Sequence, residues 1–479
     1  MSHPHPLLVP GARTQGQPLQ VVAPFDLSPI ARLDTADAEV VELALTTAYA
    51  LFRDRDAWLS AATRIAILRR TAELMEARQE ELALEAAREG GKPLLDSRVE
   101  VTRAIDGVRN CIETMRSGGG REIPMGLNAA SQNRLAMTHH EPIGVVVAVS
   151  AFNHPLNLIV HQVGPAIAAG CPVIVKPAED TPLSCYRFVK LLHEAGLPEA
   201  WCQALVTSGH EVAERLVTDP RVGFFSFIGS ARVGWMLRSK LAPGTRCALE
   251  HGGVAPVLVE ADADLDSMLP LLAKGGFYHA GQVCVSVQRV FCAAEIAEQV
   301  ALGLGKQAAL IKVGDPTAAD TDIGPLIRPR ELERIHSWVQ EAIAAGAKLI
   351  CGGKAISETC YAPTVLLDPP PTARVSREEI FGPVICVYTT TDRESAIAQA
   401  NALPFAFQAS VFTKQLDLAL YAYHRLDAAA VMVNDHTAFR VDWMPFAGLR
   451  QSGLGVGGIP YTIHDMQIEK LLVLKSAEL

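Results

Sequence analysis

Apolar residues recur at helical spacing through the first quarter of the chain. Residues 34–52 carry them behind an Asp/Thr start signal, a block over 61–88 stops at Gly90-Gly91, and a third helix is predicted over 94–115, before Ser117-Gly118-Gly119-Gly120. Residues 132–141 alternate apolar and polar and break at Pro142, the pattern of an edge hairpin. From Ile143 the pattern changes to short apolar runs separated by helical stretches. Strands are predicted at 143–149, 172–175, 203–206, 224–228 and 247–249, with helices over 155–169 and 181–195. A second alternating region follows Gly252-Gly253 and runs to about residue 450, and the tail 467–475 reads as one more strand. Apolar strands alternating with helices imply an α/β fold with parallel sheets covered on both faces. No internal repeat or low-complexity linker separates the two regions, so a cleft between them is the expected place for a site.

Composition narrows the class. At 479 residues the chain exceeds a single core, so two or three packed domains are expected. The 49% hydrophobic and 20% charged residues suit a globular protein, and a net charge of −9 without basic runs argues against a nucleic-acid partner. Residues 1–20 lack a signal-peptide pattern, and the most apolar stretch, 143–151, is too short to cross a bilayer. The ten cysteines show no CxxC spacing, which points to free thiols, a cytoplasmic location and no metal site.

Four places carry candidate chemistry. The strand at 224–228 runs into Gly229-Ser230-Ala-Arg-Val-Gly234 and a helix, a turn whose glycines and free N–H groups suit a pyrophosphate, although its spacing is not G-x-G-x-x-G. Gly453-Leu-Gly-Val-Gly-Gly458 is glycine-rich too, but follows no strand and reads as a loop. Cys284, in Gly281-Gln-Val-Cys284, is a candidate nucleophile among thiols that otherwise read as core. Glu250 ends a strand just before Gly252-Gly253, facing the crevice where α/β sheets bind ligands. Asn153 follows the strand at 143–149, where its amide could donate to an oxyanion or simply form a turn before Pro155.

Across nearly its whole length the sequence resembles the aldehyde dehydrogenase superfamily. The resemblance rests on Pro142-Ile-Gly-Val-Val, Phe152-Asn153, Lys176-Pro-Ala-Glu179, Thr181-Pro-Leu-Ser184, Phe227-Ile-Gly-Ser230, Glu250-His-Gly-Gly253, Gly281-Gln-Val-Cys284, Glu378-Glu379-Ile-Phe381-Gly-Pro and Met444-Pro-Phe-Ala-Gly, in order. It implies a Rossmann-like cofactor domain (1–123 and 143–251), an α/β catalytic domain (252–450) and a small β oligomerisation segment (124–142 and 462–479) building a homodimer or homotetramer. It assigns Cys284 as nucleophile, Glu250 as the base that activates water against a Cys284 thioester, and Asn153 with the Cys284 amide as oxyanion donors. For the nicotinamide cofactor it assigns Lys176 and Glu179 to the adenosine ribose, Gly229 and Ser230 to the pyrophosphate, Glu379 to the nicotinamide ribose and Phe381 to the ring. Glu179 would repel a 2′-phosphate, which favours NAD over NADP.

The substrate lining implied by the resemblance is Phe152, Val283, Val285, Phe439 and Trp443, apolar enough to suggest a hydrophobic or aromatic aldehyde. Arg103, Arg109 and Arg440 offer an anion anchor, and residues 275–291 with Phe439-Arg-Val-Asp442 look most like the lactaldehyde and phosphonoacetaldehyde subgroup. A small anionic or hydroxy aldehyde is therefore the alternative. An acylating, coenzyme A-dependent enzyme and a non-catalytic binding protein of the same fold are further alternatives, both disfavoured by Glu250. Departures from the common pattern fall at Ala151, His154, His251, Ala447, Val456 and Gly457, the last two replacing an Arg-Glu pair, and none is expected to touch the catalytic groups.

Overall fold

The computed structural model describes residues 4–13 and 17–479, so part of the leader-free reading of 1–20 (residues 1–3 and 14–16) lies outside the described residues. Helix Ala38–Arg53 begins where Asp37 accepts hydrogen bonds from the Glu39 and Val40 amides, satisfying two of the donors that an isolated helix start leaves open. The block predicted over 61–88 is two helices, Ala61–Ala77 and Gln79–Gly90, because Arg78 leaves helical geometry. Gly91 ends the second in a left-handed conformation (φ 73°), the cap that its missing Cβ permits. The long helix Leu94–Ser117 follows and stops at Gly118.

A six-stranded sheet takes the order Gly453–Leu454, Arg246–Glu250, Val222–Ile228, Val145–Val149, Val173–Lys176, Cys202–Ala204, parallel except for its first, two-residue strand. Its central strands are buried on both faces, one against Leu156, Val160 and Val163, the other against Val41, Ala44 and Leu45, which explains their unbroken Val/Ile/Phe composition. The glycine-rich 453–458 segment was expected to be only a loop. Instead Gly453 pairs with Glu250 and Leu454 with Leu249, extending the sheet onto the strand that ends in the candidate base.

A seven-stranded sheet takes the order Lys348–Cys351, Thr364–Leu367, Val384–Thr390, Arg289–Ala293, Pro256–Val259, Gln408–Phe412, Ala430–Val433, parallel except at Lys348–Cys351. It has its own core around Val290, Val365, Ile385 and Val411.

The predicted edge hairpin at 132–141 is corrected. Arg134–Pro142 is the central strand of a three-stranded sheet, between Glu122–Ile123 and the tail strand Gln467–Lys475, which pairs with it residue for residue from Lys475–Arg134 to Gln467–Pro142. Alternation reports one covered face and carries no information about how many neighbours a strand has. The tail strand leaves Leu471, Leu472, Val473 and Leu474 exposed.

Candidate active site

The ends of the two parallel sheets meet at a cavity of about 810 Å³. Lining it are Asn153 beyond the Val145–Val149 strand, Gly229 and Ser230 beyond Val222–Ile228, and Glu250 at the end of Arg246–Glu250, with Cys284, Glu379 and Phe381 from the catalytic side. The three strand ends lie side by side, so residues separated by about a hundred positions share one rim.

Cys284 sits on a tight loop. His279, Ala280 and Gly281 all take positive φ (48°, 54° and 69°), a conformation that costs energy for the first two and is typical of functional turns. Gly281 is required for a second reason, since a Cβ there would collide with the Gly382 carbonyl. The loop is tied down by Gln282, whose side chain bonds His279 O, Pro325 O and the Ile327 amide, and whose own carbonyl accepts Asn153 Nδ2 at 2.9 Å. One Asn153 amide hydrogen is thus used to hold the nucleophile loop, and an NH₂ group has a second.

The Cys284 thiol is half-buried, and its pKa is pushed well up, first by burial and then by the Glu250 and Glu379 carboxylates, with Arg440 opposing. Glu250 is likewise raised above the ordinary carboxylate value by burial, tempered by Arg440, whose Nη1 lies 3.6 Å from Glu250 Oε1. A carboxylate of raised pKa is a better proton acceptor near neutrality. Two of the unusual residues, Gly457 and His251, sit close to these groups. A Cβ at Gly457 would lie 3.3 Å from Glu250 Oε2, and His251 bonds Gly229 O at 2.8 Å while filling the space over Gly234, where any Cβ would strike its ring.

The cofactor residues divide. Ser230 caps the helix Ala231–Arg238 with no side-chain bond of its own, and Glu379 lies over Gly252 with Oε1 buried and unpartnered, its pKa raised to about 8 by burial. An orphan carboxylate oxygen beside a helix start suits the hydroxyls and phosphates of a dinucleotide. Phe381 takes φ 50° and packs edge-to-face on Phe152 at 5.8 Å. Lys176 and Glu179 do not line the cavity themselves, although their chain neighbours Ala178 and Asp180 do, and Lys176 Nζ lies 3.8 Å from Glu179 Oε1.

The substrate residues divide too. Phe152, Val283, Val285 and Phe439 line the cavity, whereas Trp443 is 54% exposed and does not. Arg109 is spent on a surface pair with Glu76, and Arg103 lines the cavity but is held by Asp442 at 2.6 and 3.1 Å. Arg440 alone of the three has a fully buried unpartnered atom, Nε, on a guanidinium stacked 3.6 Å over Phe446. Sequence reading gave no site role to His154, His161 or Asp442. The first lines the cavity with burial pressing its pKa well down, so it stays neutral. Only the fold shows that His161 meets both Asp442 and Arg440.

A family profile described as the aldehyde dehydrogenase family matches residues 12–471. The chain belongs to the aldehyde dehydrogenase family. It is accordingly an oxidoreductase that uses NAD(P), with the α/β fold of that family. Among relatives of this aldehyde dehydrogenase, 3-sulfolactaldehyde dehydrogenase of Priestia aryabhattai is 36% identical over 96% of each chain. Aldehyde dehydrogenase 21 of Physcomitrella patens, solved with its product succinate, is 34% identical with a TM-score of 0.94 over 99% of each chain. NADP-dependent glyceraldehyde-3-phosphate dehydrogenase of Bacillus halodurans, solved with NADP, is 30% identical with a TM-score of 0.95, over 99% of this chain and 100% of that one. No helix among the described residues is long and apolar enough to cross a membrane.

Proposed function

We propose that this aldehyde dehydrogenase oxidises a short aldehyde bearing an anionic tail to the corresponding carboxylic acid. The observation that carries this reading is Arg440, a cation about nine-tenths buried on the cavity wall with Nε unpartnered. A buried guanidinium with a spare donor costs several kcal/mol of desolvation unless something accepts from it, and a carboxylate, sulfonate or phosphate does so best. The apolar lining that favoured a hydrophobic or aromatic aldehyde loses Trp443 to the surface and gains this charge. The three relatives support the same class, since their names carry a sulfonated aldehyde, a dicarboxylate product and a phosphorylated aldehyde.

The chemistry assigned to the chain is as follows. Cys284 Sγ, once deprotonated, bonds the aldehyde carbon, and Asn153 Nδ2 with the Cys284 N–H stabilises the oxyanion. A nicotinamide ring bound in the cavity would accept the hydride that leaves the adduct carbon, and the carbon would remain on Cys284 as a thioester. Glu250 then takes a proton from water, the water oxygen bonds the carbonyl carbon, and the C–S bond breaks to release the acid and restore Cys284. Glu179 near the adenosine end favours NAD. The exposed tail strand, with Leu471 to Leu474 uncovered, fits a homodimer or homotetramer, which sedimentation would reveal.

A panel of aldehydes of matched length, ending in methyl, hydroxyl, carboxylate, sulfonate or phosphate, tests the substrate class by NADH absorbance. The expected result is a kcat/KM at least tenfold higher for the anionic members. Equal or better use of the uncharged members overturns the reading.

A further inference from the structure

Arg440 is itself held by a chain of groups that the fold assembles from three distant segments. Its Nη2 lies 3.3 Å from His161 Nδ1, and His161 Nε2 lies 2.7 Å from Asp442 Oδ1. Asp442 also accepts from Arg103 and from Asn157 Nδ2 at 3.3 Å, and its side chain is 3% exposed. These contacts determine the His161 proton. Asp442, its carboxyl drawn far below the usual range by His161 and Arg103, only accepts, so Nε2 carries the hydrogen. A guanidinium only donates, so Nδ1 offers its lone pair. Both nitrogens are assigned, and His161 is a neutral ring with its affinity for a second proton depressed by burial and by Arg440. Protonating Nδ1 would break the bond to Arg440 and set a third cation beside Arg440 and Arg103. The ring is a rigid, neutral spacer that takes up no second proton.

We propose that Asp442 and His161 are positioning residues that fix Arg440 between the substrate cavity and Glu250, so that an anionic substrate tail strengthens the catalytic base. The inference rests on the substrate class proposed above. With the tail absent, the cation 3.6 Å from Glu250 Oε1 stabilises the ionised carboxylate and weakens it as a base. A tail anion on Arg440 neutralises that field, and Glu250 binds the water proton more tightly at the step where it is needed. Neutralising an opposite charge at this separation moves the titration of a buried carboxylate upward. The other charged or titratable groups around Glu250 are Cys284 and, beyond it, Glu379. Its neighbour His251 is turned to Gly229 O. Around Arg440 they are His161, Asp442, Arg103 and the neutral His154.

The test compares the acid limb of kcat against pH for an anionic aldehyde and an uncharged one of equal length, in the wild type, His161→Leu and His161→Gln. In the wild type the limb for the anionic aldehyde should lie at least half a unit higher. His161→Leu should merge the two limbs and raise KM for the anionic aldehyde severalfold more than for the uncharged one. His161→Gln should restore both differences, since its amide can donate to Asp442 and accept from Arg440. In the leucine variant Asp442 keeps Arg103 and Asn157, and thermal unfolding of each variant confirms that the protein is folded. Coincident limbs in the wild type, or a split that survives His161→Leu in folded protein, overturns the proposal. A tenfold preference for anions with coincident limbs overturns it while sparing the substrate class, whereas loss of that preference removes the substrate class itself.

Discussion

The side-chain amide of Asn153 donates to the backbone carbonyl of Gln282 at 2.9 Å, joining the end of the central strand of one parallel sheet to the loop that presents Cys284 from the other. In the proposed mechanism this one residue both holds the Cys284 loop in place and offers its second amide hydrogen to the oxyanion. Asn153→Ala should lose both functions. Removing one preorganised donor costs about 3 kcal/mol of transition-state stabilisation, so kcat should fall by about two to three orders of magnitude in steady-state assays.

Cys284→Ala should abolish NADH production. Glu250→Gln should still release about one equivalent of NADH per site, because thioester formation does not need the base, and then turn over slowly. Stopped-flow absorbance separates the burst from the steady state, and full steady-state turnover in the glutamine variant would remove Glu250 from the base role. The pH dependence follows in sign. The Glu250 pKa is raised above 4.5, and only the ionised form accepts a proton. The acid limb of kcat should therefore fall above the range of an ordinary exposed glutamate, and activity should drop as pH falls through it.

Much of this architecture is readable along the chain, and the reason is local. Asp37 before an amphipathic run, Gly91 after one, and apolar runs of strand length each encode their element through neighbours a few residues away. The motif residues Asn153, Gly229, Ser230 and Glu250 are legible for a similar reason, since each sits at or just beyond the end of a strand. What sequence order conceals is partnership across the fold. Arg103 and Asp442 are 339 positions apart and Asn157 and Asp442 are 285 apart, and no local period connects them. The tail strand was visible as a strand, but its registry with Arg134–Pro142, which makes a centre of a supposed edge, is a tertiary choice. Trp443 illustrates the same limit, because an aromatic residue beside a site motif can point either way.

Gly281 combines φ 69° with a backbone approach that leaves no room for a methyl group against the Gly382 carbonyl. Gly281→Ala should destabilise the protein by more than about 1 kcal/mol, read as a lower Tm. Activity should fall further than stability does, since the loop that carries Cys284 must shift.

Lys92 and Glu100 form an ion pair with neither side chain exposed, and Glu100 also accepts from the Leu156 and Asn157 amides at the start of the helix behind Asn153. Lys92→Met strands a buried carboxylate and should cost about 3–5 kcal/mol in denaturant unfolding. Adding Glu100→Gln should recover a large part of that loss.

At the adenosine end, Lys176 and Glu179 lie 3.8 Å apart. Glu179→Ser removes the charge that opposes a 2′-phosphate and leaves the lysine to favour it. The ratio of kcat/KM for NAD over NADP should fall by about tenfold or more, a change of about 1.4 kcal/mol.

Burial and two nearby carboxylates raise the pKa of the Cys284 thiol, against the pull of Arg440, and so disfavour its anion. Thiol poisons such as iodoacetamide and peroxide attack the anion, so the resting protein should tolerate them far longer than a free cysteine at the same pH. The same arrangement that slows the first step of turnover shields the one atom whose damage would be irreversible.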